Sequence, residues 1–311
     1  MANVEASKVD LFVKKMYQQR YLYLMSVPFI ILVLIFNYIP IWGWIMSFQN
    51  FKLGRTFFEQ EWVGLANFIQ ILSDKQFYLV LRNTLAMSVM GLIAGFTIPI
   101  IFAVSLNEVS HTGYKKIVQT ISYLPHFVSW VVVAGIFYKL LSTDGGVVND
   151  ILMKLGFIGE PIQFMAKGKL FWWIVTLADI WKEMGWNSII FISAITAIDP
   201  QLYDAAKVDG CGRFRQIWHI TLPGIRSVVI VLLILSIGNL VRIGFEKQML
   251  LSNPLVFDYS EVLDLYALKY GLGLNRFSFG TAIGMFSSLV SVCLLFTANG
   301  LFKHYSKESV M

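Results

Sequence analysis

Apolar runs alternate with shorter polar segments along almost the whole chain, and the runs are too long for the core elements of a water-soluble domain. Six runs stand out, at residues 22–48, 79–106, 117–141, 170–198, 227–240 with a continuation past Arg242, and 279–301. A helix of about 20 residues crosses the roughly 30 Å hydrocarbon layer, so each run predicts a membrane span. Pro28 and Pro40 are expected to bend the first, and Pro125 with His126 to interrupt the third. Gly91, Gly95 and Pro99 in the second are expected to allow close helix contact and local bending. Between the runs, residues 50–78 predict an external loop with a short surface helix, and residues 142–169 a loop with a short helix near 149–155. Residues 246–278 predict an external helix in VFDYSEVLDLYALKYGLG, closed by a glycine turn.

One polar interruption has an internal design. Within residues 199–226, Asp199 is placed to cap a helix that begins at Pro200, where the missing N–H costs nothing. Leu202, Ala205 and Ala206 share one side of that helix, Asp204 and Lys207 the other, and Asp209-Gly210 lets the backbone turn away. A second helix from Gly212 carries Phe214, Ile217 and Trp218 on one face, with Arg213, Arg215 and His219 around the rest, and is expected to stop at Pro223. Two short helices at an angle make a knob with apolar and basic surface. Such a knob either lies on lipid headgroups or docks to a protein, and its aromatic residues alone do not separate the two.

Composition narrows the class. At 311 residues, 57% hydrophobic and only 14% charged, the chain reads as an all-α polytopic membrane protein. Its net charge of +6 sits in residues flanking the spans, with no basic run interleaved with aromatics, so no nucleic acid partner is implied. Six spans put both termini and the knob on one side. Lys and Arg then number twelve in the four short inside segments against nine in the three longer outside loops, the sign expected for a cytoplasmic knob. Cys211 and Cys293 read as small packing residues, and the four histidines occur at no metal-ligand spacing. There is no phosphate loop ending in Gly-Lys-Ser/Thr and no arrangement that marks a catalytic triad, so neither ATP hydrolysis nor a membrane hydrolase is expected of this chain. No catalytic residue, metal site or cofactor is assigned.

Charge inside a span is the remaining signal. Asp179 and Glu183 share a helix face that Lys182 flanks, in the fourth run, and ionisable groups at membrane depth need partners or water. They either line a path or gate, or form a structural ion network, and a helix broken near Gly185 would bring them to the outer interface. His126 is either a proton or substrate ligand or a packed residue near a helix end.

The order LYDAAKVDG followed by ITLP resembles the cytoplasmic loop of membrane subunits of ATP-binding-cassette importers. The likeness is to the branch similar to the first maltose-importer permease and to permeases for complex oligosaccharides. That family has Glu-Ala-Ala, an acidic residue with Gly, and an Ile-x-Leu-Pro ending. Asp204, Ala205, Ala206, Asp209, Gly210, Ile220, Leu222 and Pro223 stand at those positions. Asp204 replaces the usual Glu, and Cys211 stands where a small Ala is common. Gly64, Leu65, Asn67, Phe68, Asn83 and Thr84 match a second family pattern, so the resemblance covers nearly all of the chain after residue 20.

The resemblance implies a six-span type I importer permease fold over residues 22–303, with cytoplasmic segments 1–21 and 304–311. It implies that the loop 199–226 forms coupling helices in a groove of an ATPase, through Leu202, Asp204, Ala205, Ala206, Asp209, Gly210 and Ile217. The implied partners are a second homologous permease, two ATPase subunits that carry ATP and Mg, an extracellular or periplasmic solute-binding protein, membrane lipid and an oligosaccharide. The implied location is the cytoplasmic membrane of a bacterium or archaeon. A permease for an amino acid, polyamine or phosphate, and a non-transporting membrane scaffold, stay open beside this reading.

Overall fold

The computed structural model describes residues 14–306. Lys8, Lys307 and the outer parts of segments 1–21 and 304–311 lie outside the described residues. Among the described residues the regular structure is helical apart from one two-residue antiparallel ladder, Gln49–Asn50 against Glu61–Trp62.

Among the described residues three helices are long and apolar enough to cross a membrane: Arg20–Phe48, Lys75–Asn107 and Phe277–His304. Two bent pairs bring that number to five if each is one span. In the first pair, Thr112–Phe127 and Trp130–Leu140 meet at 103°, a far sharper break than an interrupted straight span. Pro125 lies in the 3-10 turn Leu124–Phe127, and the Ser129 hydroxyl then accepts the Val132 N–H to start a new helix. In the second pair, Arg213–Gly224 and Arg226–Gly238 meet at 56°. Pro223 therefore does not stop the second knob helix. A wide turn, Ile217–Thr221, precedes it and absorbs the missing N–H, and the break falls at Ile225. The expected continuation past Arg242 is also absent, because the helix ends at Gly238. Gly168–Thr196 is 29 residues long but carries Asp179, Lys182 and Glu183 at its middle.

In the first span Pro28 sits inside the α-helix Arg20–Val33, and the change of character, a wide turn at Leu34–Tyr38 and then the tighter Ile39–Phe48, comes at Pro40. The span's apolar side chains up to Trp42 are exposed on the isolated chain. The long helix Lys75–Asn107 is the scaffold of the rest. It starts at Asp74, whose Oδ1 accepts the Gln76 N–H at 2.9 Å, and packs along Gly168–Thr196.

The largest departure from expectation concerns residues 246–273. In place of one external helix there are short pieces, Glu246–Leu251, Pro254–Val256, Phe257–Ser260, Leu263–Leu268 and the wide turn Lys269–Gly273. They are not peripheral, since Leu251, Val262, Leu263 and Tyr266 are wholly buried in two apolar cores with the second span. Asn83 Nδ2 donates to the carbonyls of Asp258 at 2.9 Å and Glu261 at 3.0 Å. Thr84 Oγ1 accepts the Leu263 N–H at 2.9 Å. Two polar residues inside a span thus satisfy the backbone at a helix break, where unpaired groups would be costly.

Candidate functional site

The knob is held together by bonds between near neighbours in sequence. Asp199 Oδ1 accepts the Gln201 N–H at 2.9 Å and opens the helix Pro200–Val208. Gly210, at φ +73°, closes it: the Cys211 N–H reaches the Ala206 carbonyl at 2.8 Å and the Gly210 N–H the Lys207 carbonyl at 3.0 Å. Tyr203 Oη and Thr221 Oγ1, 2.9 Å apart, tie the first helix to the second, and Gln216 Nε2 donates to the Cys211 carbonyl at 2.9 Å. Asp204 pairs with Lys207 at 3.0 Å on the exposed side. Asp209 caps the helix end as its first non-helical residue and is exposed.

The base of the knob is rooted in the spans. Ile225 is buried in a core with Ala103, Phe191 and Ile195. A Cβ at Gly224 would sit 2.6 Å from Ile198 Cδ1, so the end of the knob lies directly on the end of the Gly168–Thr196 helix.

The knob also presents apolar surface outward. Phe214 is 89% exposed, Val208 88%, Trp218 69% and Leu202 53%. Ala205 is exposed as well, and Ile217 is half-buried. Ala206 differs from its neighbours, being buried against its own chain, so it holds the knob together and does not itself face outward. Val208 was not among the residues selected from sequence, since a single valine after a lysine carries no periodic signal.

The charged residues of the helix Gly168–Thr196 divide into two groups. Asp179 forms an ion pair with Lys247, a residue that sequence spacing did not connect with it. Glu183 Oε2 lies 2.7 Å from His126 Nδ1, and its Oε1 lies 3.1 Å from Lys182 Nζ. Lys182 is buried and also donates to the His126 carbonyl at 2.5 Å. The His126 ring stacks on Trp186, with centroids 4.2 Å apart and planes 2° apart. This cluster clamps the break in the third span onto the fourth. The helix Gly168–Thr196 is continuous through Gly185, contrary to one expectation; a Cβ there would overlap the Ser122 carbonyl, so the glycine serves close packing of Thr112–Tyr123 on this helix and not a break.

Asp179 and Glu183 both border open space. A cavity of about 430 Å³ is lined by Ser88, Thr176, Asp179, Asn187, Asn239, Arg242 and Lys247 beside apolar residues. A smaller one of about 120 Å³ adjoins it and reaches Glu183 and Pro99. Gly91 and Gly95 line both. They were expected to allow close helix contact, but a Cβ at either would meet nothing within 4 Å, so their effect is to leave the cavity open. A third cavity of about 610 Å³ lies between Met46, Phe245, Asp264 and Phe277, and Arg242 lines it too. Burial pushes the Asp264 carboxyl above the ordinary carboxylate range, a rise partly offset by the Gly244 N–H that it accepts at 2.7 Å and by the charge of Arg242.

Among the described residues no group of three or more His, Cys, Asp or Glu is arranged to hold a metal ion. The arrangement is a knob packed at its base against the long helices, with cavities between those helices that charged residues line.

Comparison with known proteins gives the same class. The family of binding-protein-dependent transport system inner membrane components matches residues 95–306. The chain is 44% identical over 296 residues to the polygalacturonan/rhamnogalacturonan transport system permease protein YteP of Bacillus subtilis (strain 168), covering 95% of this chain and 92% of the relative. It is 39% identical over 293 residues to Protein LplB of the same organism, covering 94% and 92%. Among solved structures it resembles a chain of a bacterial ABC transporter involved in the import of the acidic polysaccharide alginate. The TM-score is 0.86 at 37% identity, over 95% of this chain and 99% of that one.

Proposed function

The chain belongs to the binding-protein-dependent transport system inner membrane components, and we propose that within that family it is one six-span half of an ATP-driven oligosaccharide importer. As a member it is a membrane permease subunit of a carbohydrate importer that works with an external binding protein, and not an enzyme. In this reading residues 22–303 form the permease domain, and Gly168–Thr196, its charges paired, crosses the membrane as the fourth of six spans. Both termini and the knob face the cytoplasm. A second, different permease shares the path, two ATPases bind and hydrolyse ATP, and the binding protein delivers the sugar from outside. Asp179, Lys182 and Glu183 belong to the path or its gate, since Asp179 and Glu183 border the cavities and Lys182 neutralises Glu183.

The observation that carries the coupling role is the union of two properties in the knob: a base packed into the spans and an exposed apolar face. Closure of the ATPases moves a knob docked in their groove, and the rigid contact of Gly224 on Ile198 passes the movement to the spans. Leu202, Ala205, Phe214 and Trp218 fill the groove, Asp204 and Asp209 meet basic groups at its rim, Gly210 sets the angle between the helices, and Ala206 and Ile217 hold the knob's shape.

Phe214→Asp tests this. The side chain is almost wholly exposed, so the variant is expected to insert and fold normally. Loss of a docked aromatic costs about 2 kcal/mol or more, so ATPase affinity should fall about 30-fold and uptake should fall with it. Affinity is read by titrating the purified ATPase onto the permease pair in nanodiscs. If the knob merely rests on lipid, F214D retains full ATPase affinity and uptake, and that result would remove the coupling role.

A further inference from the structure

Trp130 stands between the two groups of charges on the helix Gly168–Thr196. Lys182 Nζ lies over its ring at 5.9 Å from the centroid, and Lys247 Nζ lies over it at 5.8 Å. Lys182 belongs to the clamp, where its partners are Glu183 and the His126 carbonyl. Lys247 belongs to the pair with Asp179 that lines the cavity of about 430 Å³. Among the described residues no hydrogen bond or ion pair joins one group to the other. The indole is a side chain that a cation of each group touches.

The place of Trp130 in the chain gives that contact a consequence. It is the first residue of the helix Trp130–Leu140, directly after the Ser129 cap and the 103° break. Its half-buried ring packs on the core that contains Val133, Ala134, Val175 and Ala178. Lys182 thus holds both sides of the break, the His126 carbonyl before it and the Trp130 ring after it. A cation is attracted to the electron-rich face of an indole, most strongly where water is scarce. Lys247 adds a second such hold on the ring, from the helix Glu246–Leu251, and its position there depends on Asp179. A ligand whose polar groups engage Asp179 or Lys247 in the cavity displaces that cation and loosens the ring. Resting on the reading above that Asp179 lines the path, we infer that Trp130 is a positioning residue that couples this cavity to the break at residues 127–130, so that occupancy of the path is felt where the chain bends.

The experiment removes the cavity pair and reads the break. Asp179→Asn and Lys247→Met are made together, so that neither charge is left without its partner, and hydrogen exchange is followed over Thr112–Phe127 in the assembled importer in nanodiscs. A cation held on an indole away from water shifts a local equilibrium by about fivefold or more, so exchange over that stretch should quicken by about that factor. In a Trp130→Leu background the same double change should leave exchange as it is in W130L alone, whereas a tryptophan with a merely structural role gives additive effects. Trp130→Phe keeps a weaker aromatic face and should retain part of the response. An unchanged rate over Thr112–Phe127 when the pair is removed from the wild type, or an equal response with and without the indole, would overturn the inference. Should W130L fail to assemble, W130F decides in its place, and an undiminished response there overturns the inference as well. Uptake by D179N/K247M reads the other premise separately: normal uptake would remove the path-lining role of Asp179, and with it the link to occupancy, whatever the exchange shows.

Discussion

The knob at residues 199–226 and the segment at 246–273 are both polar interruptions between apolar runs, built from short helices, yet they are held in opposite ways. Knob bonds join residues close in sequence: Asp199 to Gln201, Asp204 to Lys207, Gly210 to Lys207, Gln216 to Cys211. The segment is tied to elements far away, with Asn83 on Asp258 and Glu261, Gln76 on Glu261, Tyr266 on Asp74 and the Trp172 indole on the Tyr259 carbonyl. The knob keeps Leu202, Val208, Phe214 and Trp218 outside, and the segment buries Leu251, Val256, Val262, Leu263, Leu265 and Tyr266. A polar stretch held by its own neighbours is free to offer a face to another protein. One fastened by distant partners becomes part of the core that keeps the spans in place.

The contrast predicts a local failure in one region and a global failure in the other. The largest effect is expected for Ala206→Glu, which puts a carboxylate at a buried position of the knob at a cost of several kcal/mol. Hydrogen exchange should show loss of protection over residues 200–224 alone, with Lys75–Asn107 protected as before and ATPase binding abolished. Loss of protection across the spans would show that the knob is not an independent unit.

Asn83→Ala should act in the reverse manner. It removes the donor from two carbonyls at a buried helix break, for about 1–3 kcal/mol. The midpoint of thermal unfolding in detergent should fall, and protection should drop in both Lys75–Asn107 and Leu263–Leu268 while the knob keeps its own. A change confined to one of the two helices would mean that they are not fastened as one body.

The smallest effect is expected for Asp264→Asn. Burial holds the folded carboxyl above its ordinary range, so the folded chain binds this proton more tightly than the unfolded one, and stability declines as pH rises through the folded value. The amide still accepts the Gly244 N–H without that cost, so D264N should unfold at a slightly higher temperature near neutral pH. The difference should vanish below about pH 4, where the unfolded carboxyl is protonated too. A difference that persists there would assign the effect to packing.

Sequence alone determined what short-range physics controls: the three long apolar helices from run length, the cap at Asp199 and the turn at Gly210 from residue chemistry. The central loop was legible because its bonds run between neighbours and its motif is contiguous. Asp179, Lys182 and Glu183 stood out because charge in an apolar run is costly wherever it falls, but the separation of that trio was decided only by packing. Lys247 lies 68 residues from Asp179 and His126 lies 57 from Glu183, and no spacing rule joins such positions. The 103° bend, the contact of Gly185 with Ser122, the inward turn of Ala206 and the cavity opened by Gly91 and Gly95 are likewise tertiary. Each depends on what another helix brings to the same place, and helical periodicity says which residues share a face without saying what that face will meet.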